Sequence, residues 1–81
     1  MNDYNSNELL TVKELSFICK YKFNSKLSEI TIRSYIYKNI KDGHIKSILN
    51  DNKTFVHFGE FIEFLSKNYS KLGFSYNPTI N

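Results

Sequence analysis

Residues Ser28 to Gly43 read SEITIRSYIYKNIKDG, and this stretch decides the fold. Ser28 is a strong helix N-cap, because its hydroxyl oxygen accepts a backbone N–H of the first turn. Gly43 is a strong stop, because it turns left-handed without a Cβ clash. Between them Ile32, Ile36 and Ile40, with Tyr35, recur at helical spacing and make one apolar face. The other face carries Glu29, Arg33, Ser34, Tyr37, Lys38 and Lys41. That mixture of cations, hydroxyls and an aromatic ring suits a nucleic-acid groove. It suits an ordinary solvated face equally well, since charged outer faces are common on amphipathic helices.

Upstream, Leu10 to Tyr21 reads as a first helix. Thr11-Val12-Lys13-Glu14 fits a capping box, and Leu10 and Leu15 fit the hydrophobic staple that accompanies it. Leu15, Ile18 and Cys19 share a face that Val12 extends. Residues 22–27 break the period and form the connection, from which Phe23 and Leu27 plug the core. The leader, residues 1–8, is polar and aperiodic, and reads as disordered.

Downstream, residues 44–58 change character. Ile45, Ile48 and Leu49 precede Asn50-Asp51-Asn52-Lys53, and Thr54 to Phe58 follow. Two β-prone runs around an Asn/Asp cluster predict a hairpin, because Asn and Asp tolerate the left-handed backbone of tight turns. The alternation is imperfect and leaves open which strand face is buried. Gly59 to about Leu72 reads as a third helix, with Phe61, Phe64, Leu65, Tyr69 and Leu72 at helical spacing. That aromatic stripe is core rather than a base-stacking platform, on its period. Gly73 ends it, and residues 73–81 form a tail whose Phe74 and Tyr76 dock back or meet another chain. The expected class is therefore a small α+β domain over residues 9–72, in the order helix, helix, hairpin, helix.

At 81 residues the chain has room for one modest core. Its net charge of +3 permits nucleic acid or an acidic partner without selecting either. The basic excess lies in the middle, where residues 11–57 hold nine cations and four acids. One cysteine, Cys19, excludes an internal disulfide, and its apolar surroundings predict a buried thiol. No run approaches the roughly 20 apolar residues of a membrane span. Nothing at the start resembles a signal peptide, so a cytoplasmic protein is expected, with no membrane partner.

Three pieces together carry a family resemblance. Leu9-Leu10-Thr11-Val12-Lys13-Glu14-Leu15 is similar to the opening of the excisionase-type, MerR-like winged helix-turn-helix family. Ser28-x-x-Thr31-Ile32-Arg33, then Ile36 and Asp42-Gly43-His44-Ile45, resembles that family's recognition helix and its exit into the wing. Val56, Phe61, Phe64 and Leu65 resemble the wing strand and closing helix. The resemblance covers about residues 9–67. The chain departs from the family in three places. Its connection between the first two helices is longer, its wing has Asn50-Asp51-Asn52-Lys53 where relatives often carry Gly and Arg, and it has no Ala in the first helix.

The resemblance implies double-stranded DNA as partner, with helix 28–41 in the major groove and hairpin 44–58 as wing. Arg33 is then expected at a base edge, guanine being the usual bidentate partner. Ser34 is expected on a base or a phosphate, and Tyr37 and Lys38 on backbone one turn further along, with Lys41 beyond. Ser28 opens a helix whose N-terminus attracts phosphate, and Thr31 serves its first turn. Glu29 suits the helix dipole but repels phosphate, unless it accepts from a cytosine amine. Lys46, Asn52 and Lys53 are the expected wing contacts, to a phosphate or in the minor groove, and Lys13 and Lys22 are expected on the flanking DNA backbone. The expected biology is a mobile element, meaning a phage, plasmid or transposon. There the chain acts as an excisionase-like architectural factor or a small regulator, with itself or a recombinase as a further partner. A winged module that binds protein and not DNA is the alternative, since fold does not fix function.

An enzyme is not expected. His44 and His57 fall in no metal-ligand spacing with Cys19 or a carboxylate pair. No Gly-rich phosphate loop and no nucleophile elbow occur, and Glu60 and Glu63 read as a solvated turn. No cofactor, metal or small-molecule substrate is expected.

Overall fold

The computed structural model describes residues 5–80. In chain order it contains β1 (Leu9–Thr11), α1 (Val12–Phe17) continuing into a π-helical turn (Ile18–Lys22), and α2 (Glu29–Lys41). Then follow β2 (Ile48–Asn50), β3 (Lys53–His57), and α3 (Phe58–Asn68) with a final 3-10 turn (Tyr69–Leu72). The class is α+β, three helices packed with one antiparallel sheet of order β1-β3-β2.

The hairpin forms as its turn chemistry requires. Asn50 pairs with Lys53 across a two-residue turn, and Asp51 and Asn52 both sit left-handed, at φ 52° and 64°. This is the primed turn that matches the twist of the flanking strands. The strand face left open by the sequence is now assigned. Val56 stands opposite Leu10 and both are buried, whereas all of β2 is exposed.

β1 is the element that the expected order lacks. Leu9–Thr11 pairs with His57 to Phe55 before the chain enters α1, so the first helix begins at Val12 and not Leu10. The capping box is present: the Thr11 N–H donates to Glu14 Oε1 (2.8 Å), and the Glu14 N–H donates to Thr11 Oγ1 (3.2 Å). Beyond Phe17 the helix widens, and Phe23 N–H reaches Ile18 O five residues back (3.0 Å).

The expected disordered leader takes a different form in its described half, residues 5–8. Glu8 N–H bonds Asn5 O (2.9 Å), closing a turn. Its carbonyls then meet the start of α3: Phe58 N–H donates to Glu8 O, and Gly59 N–H donates to Ser6 O, each at 2.9 Å. His57, the N-cap residue, makes no side-chain cap bond, so the leader satisfies donors that a cap would otherwise take. Residues 1–4 of the expected leader and residue 81 of the expected tail lie outside the described residues. Phe58, expected at the end of the second strand, is the first residue of α3.

The core gathers Leu10, Val12, Leu15, Ile18, Cys19, Ile32, Ile36, Val56, Phe61, Leu65 and Leu72, with Phe23 and Leu27 packed on it from the connection. The tail starts at Gly73, left-handed at φ 89°. Phe74 folds back and is buried, with its ring centroid 6.5 Å from that of Phe23. Ser25, buried in the connection, ties the two ends together: its hydroxyl donates to Leu72 O (2.6 Å) and accepts from Leu27 N–H (3.1 Å).

Candidate nucleic-acid interface

α2 is closed at both ends by its own residues. At the N-terminus Ser28 Oγ accepts from Thr31 N–H (3.2 Å) and donates to Thr31 Oγ1 (2.9 Å). At the C-terminus Gly43 is left-handed at φ 84°. Gly43 N–H bonds Ile40 O (3.1 Å) and His44 N–H bonds Asn39 O (2.8 Å), the paired bonds of a Schellman stop. A side-chain bond reinforces it. Asn39 Nδ2 donates to Tyr35 O (2.9 Å), which leaves Asn39 Oδ1 to accept from His44 Nδ1 at 3.0 Å. Glu29 in the first turn and Lys38 and Lys41 in the last complement the helix dipole.

Ile32, Ile36 and Asn39 hold the inward side of α2 against the core, with Tyr35 and Ile40 half-buried at its edges. The outward side carries Ile30, Ser34, Tyr37, Lys38 and Lys41, all exposed. Among the described residues the side chains of Ser34, Tyr37, Lys38 and Lys41 make no hydrogen bond or ion pair. Four of the expected contacts are thus brought together on one free face.

The other expected α2 contacts are placed differently. Ser28 and Thr31 are exposed, but their hydroxyls bond each other. Arg33 is half-buried on the flank, with Nη2 3.9 Å from Glu29 Oε2 one turn earlier. Its Nε is buried and has no hydrogen-bond partner among the described residues. Arg33 therefore does not stand at the centre of the outward face.

In the hairpin region Lys46, Asn52 and Lys53 are exposed, Asn52 and Lys53 at the tight turn and Lys46 in the link from α2. No hydrogen bond or ion pair joins these three to the α2 group among the described residues. Lys13 and Lys22 are exposed on the first helix. Leu49 at the tip is 73% exposed, and Phe17 and Tyr21 form an exposed ring pair with centroids 4.8 Å apart.

Ile30 was absent from the expected contacts, yet it is 72% exposed in the first turn of α2. Its signal was in the helical period: positions 30, 34, 37 and 41 share the side opposite Ile32 and Ile36. A cavity of about 320 Å³ lies behind the helix, lined by Tyr35, Asn39, His44 and residues of α3. It opens on the inward and C-terminal side of α2, away from the free face. Cys19 is fully buried, and desolvation pushes its thiol up to about 12. Among the described residues no three His, Cys, Asp or Glu are grouped to hold a metal, and no helix is long and apolar enough to cross a membrane. Compared with known proteins, the chain matches no family model, no curated protein and no solved structure.

Proposed function

We propose that this chain is a winged helix-turn-helix protein that binds double-stranded DNA sequence-specifically, with α2 in the major groove and the β2–β3 hairpin as wing. The observation that carries the reading is the outward face of α2. A hydroxyl, a phenol and two ammonium groups stand there together, exposed and, among the described residues, without hydrogen-bond or ion-pair partners. A helix of this diameter fits the major groove, where base edges differ from pair to pair. Lys38 and Lys41 at its C-terminal end, with Lys46 and Lys53 beyond it, are suited to phosphates. About four to six such contacts give most of the affinity and make it fall steeply with salt.

The biology proposed with this grip is that of a phage, plasmid or transposon, in the cytoplasm of its host. The chain acts there as an excisionase-like bending factor or a small regulator, not as an enzyme. A single small domain with so few phosphate contacts binds weakly alone. Pairing with itself on DNA or contact with a recombinase would raise its occupancy.

The test is fluorescence anisotropy on labelled duplexes tiled from the DNA around its own gene, at several salt concentrations. Steeply salt-dependent binding that favours one tile supports the reading, and bending of that tile selects the architectural role. A second reading, a winged module that binds a protein, is favoured by the exposed Phe17–Tyr21 pair and by Leu49 and Tyr76. It takes over if no tile binds at low salt.

A further inference from the structure

We infer that Ile30 reads the C5-methyl of a thymine, so that the preferred DNA carries an A·T pair beneath the first turn of α2. The inference rests on α2 entering the major groove and goes beyond that reading by naming the base and the side chain.

In a helix-turn-helix the N-terminal residues of the recognition helix meet the base edges. The other side chains there are already engaged. Ser28 and Thr31 bond each other, Glu29 pairs with Arg33, and Ile32 is in the core. Ile30 points outward from that turn and is 72% exposed. An aliphatic side chain has no hydrogen bond to offer. The apolar feature of the major-groove edge that distinguishes a base pair is the thymine methyl. Guanine reading by Arg33 is less well placed, because Arg33 lies on the flank and is held by Glu29.

The surroundings favour DNA as the occupant of this face over an apolar protein surface. Ile30 is flanked by Thr31 and Ser34, and Lys38 and Lys41 follow on the same helix, so the face is basic and polar around one aliphatic contact. Protein hot spots are built instead from large anchors in fully desolvated clusters.

The experiment selects duplexes from a random-sequence pool with the full chain, then replaces each thymine of the recovered site by deoxyuridine, which lacks only the methyl. Affinities are measured for the wild type and for Ile30→Ala, whose exposed position leaves the melting temperature unchanged. At one thymine the loss of the methyl is expected to weaken the wild type about fourfold, the worth of one buried methyl group. Ile30→Ala is expected to bind the two duplexes alike. Recovered sites without a thymine whose effect vanishes in Ile30→Ala overturn the inference and leave DNA binding standing. Recovery of no duplex overturns DNA binding and this inference with it.

Discussion

Arg33 Nη2 lies 3.9 Å from Glu29 Oε2, one helical turn away on α2. The pair holds the arginine on the flank of the helix and places a carboxylate at the end where a phosphate would be attracted. Glu29→Gln therefore acts in two directions. It loses the dipole and ion-pair terms, about 0.5–1 kcal/mol for partly exposed groups, so the melting temperature falls slightly. It also frees Arg33 and removes a repelling charge, so duplex DNA binds several-fold more tightly at low salt and the gain shrinks as salt rises. Urea denaturation and anisotropy on the same variant check the opposite signs.

Lys53 and Arg33 are expected to fail differently. Lys53→Ala should weaken every duplex by a similar factor and lower the salt slope by about one. Arg33→Ala, on the flank of α2 beside Glu29, should leave discrimination between duplexes nearly unchanged. A loss confined to the specific duplex in Arg33→Ala would place Arg33 at a base edge.

Ser25 and Gly73 lock the connection to the C-terminal turn. Ser25→Ala leaves Leu72 O and Leu27 N–H without their buried partner, at a cost of about 1–3 kcal/mol, or roughly 4–24 °C in melting temperature. Gly73→Ala places a Cβ 2.6 Å from Ser25 Oγ at a left-handed backbone position, and is expected to lose at least about 1 kcal/mol. The double variant should lose less than the sum, because removing the hydroxyl relieves the nearest clash, although Leu27 Cγ at 2.9 Å remains.

Deleting residues 1–8 removes the carbonyls of Ser6 and Glu8 from the first turn of α3. The expected loss is about 1–2 kcal/mol, comparable with loss of an N-cap. Hydrogen exchange should show it as faster exchange at Phe58 and Gly59, with the amides of α2 nearly unchanged.

Burial raises the Cys19 thiol from 9.0 to about 12. Below pH 9 both folded and unfolded chains keep the proton, and this group leaves stability unaltered. Between pH 9 and 12 only the unfolded chain ionises, so stability falls with pH at up to about 1.4 kcal/mol per unit. Cys19→Ala should remove that part of the alkaline slope. At pH 8 a thiol reagent should label the native chain only as fast as it opens.

What was legible in the sequence was local chemistry. Ser28 and Gly43 bound α2, Thr11 and Glu14 form the capping box, and Asp51 and Asn52 make the turn, because each acts on neighbours within a few residues. β1 was not legible. Leu9-Leu10-Thr11 shows no alternation, and it becomes a strand only because β3, far along the chain, supplies its partner. Asn39, assigned to neither face from the sequence, is buried, because Tyr35 O and His44 satisfy its amide. The leader reads as aperiodic because it stabilises α3 through backbone carbonyls, which leave no mark on residue type. On the candidate interface, the lysines and the exposure of Ile30 follow from the period, whereas the Glu29–Arg33 pair and the buried Arg33 Nε required the packed helix.

The most direct measurement of the central claim is a backbone-amide NMR titration of the full chain with a duplex that it selects. Perturbations gathered at Ile30, Ser34, Tyr37, Lys38 and Lys41, with Lys53 at the hairpin, are the predicted result. Perturbations centred on Phe17 and Tyr21 with α2 silent would contradict the claim that the outward face of α2 is the DNA-binding surface.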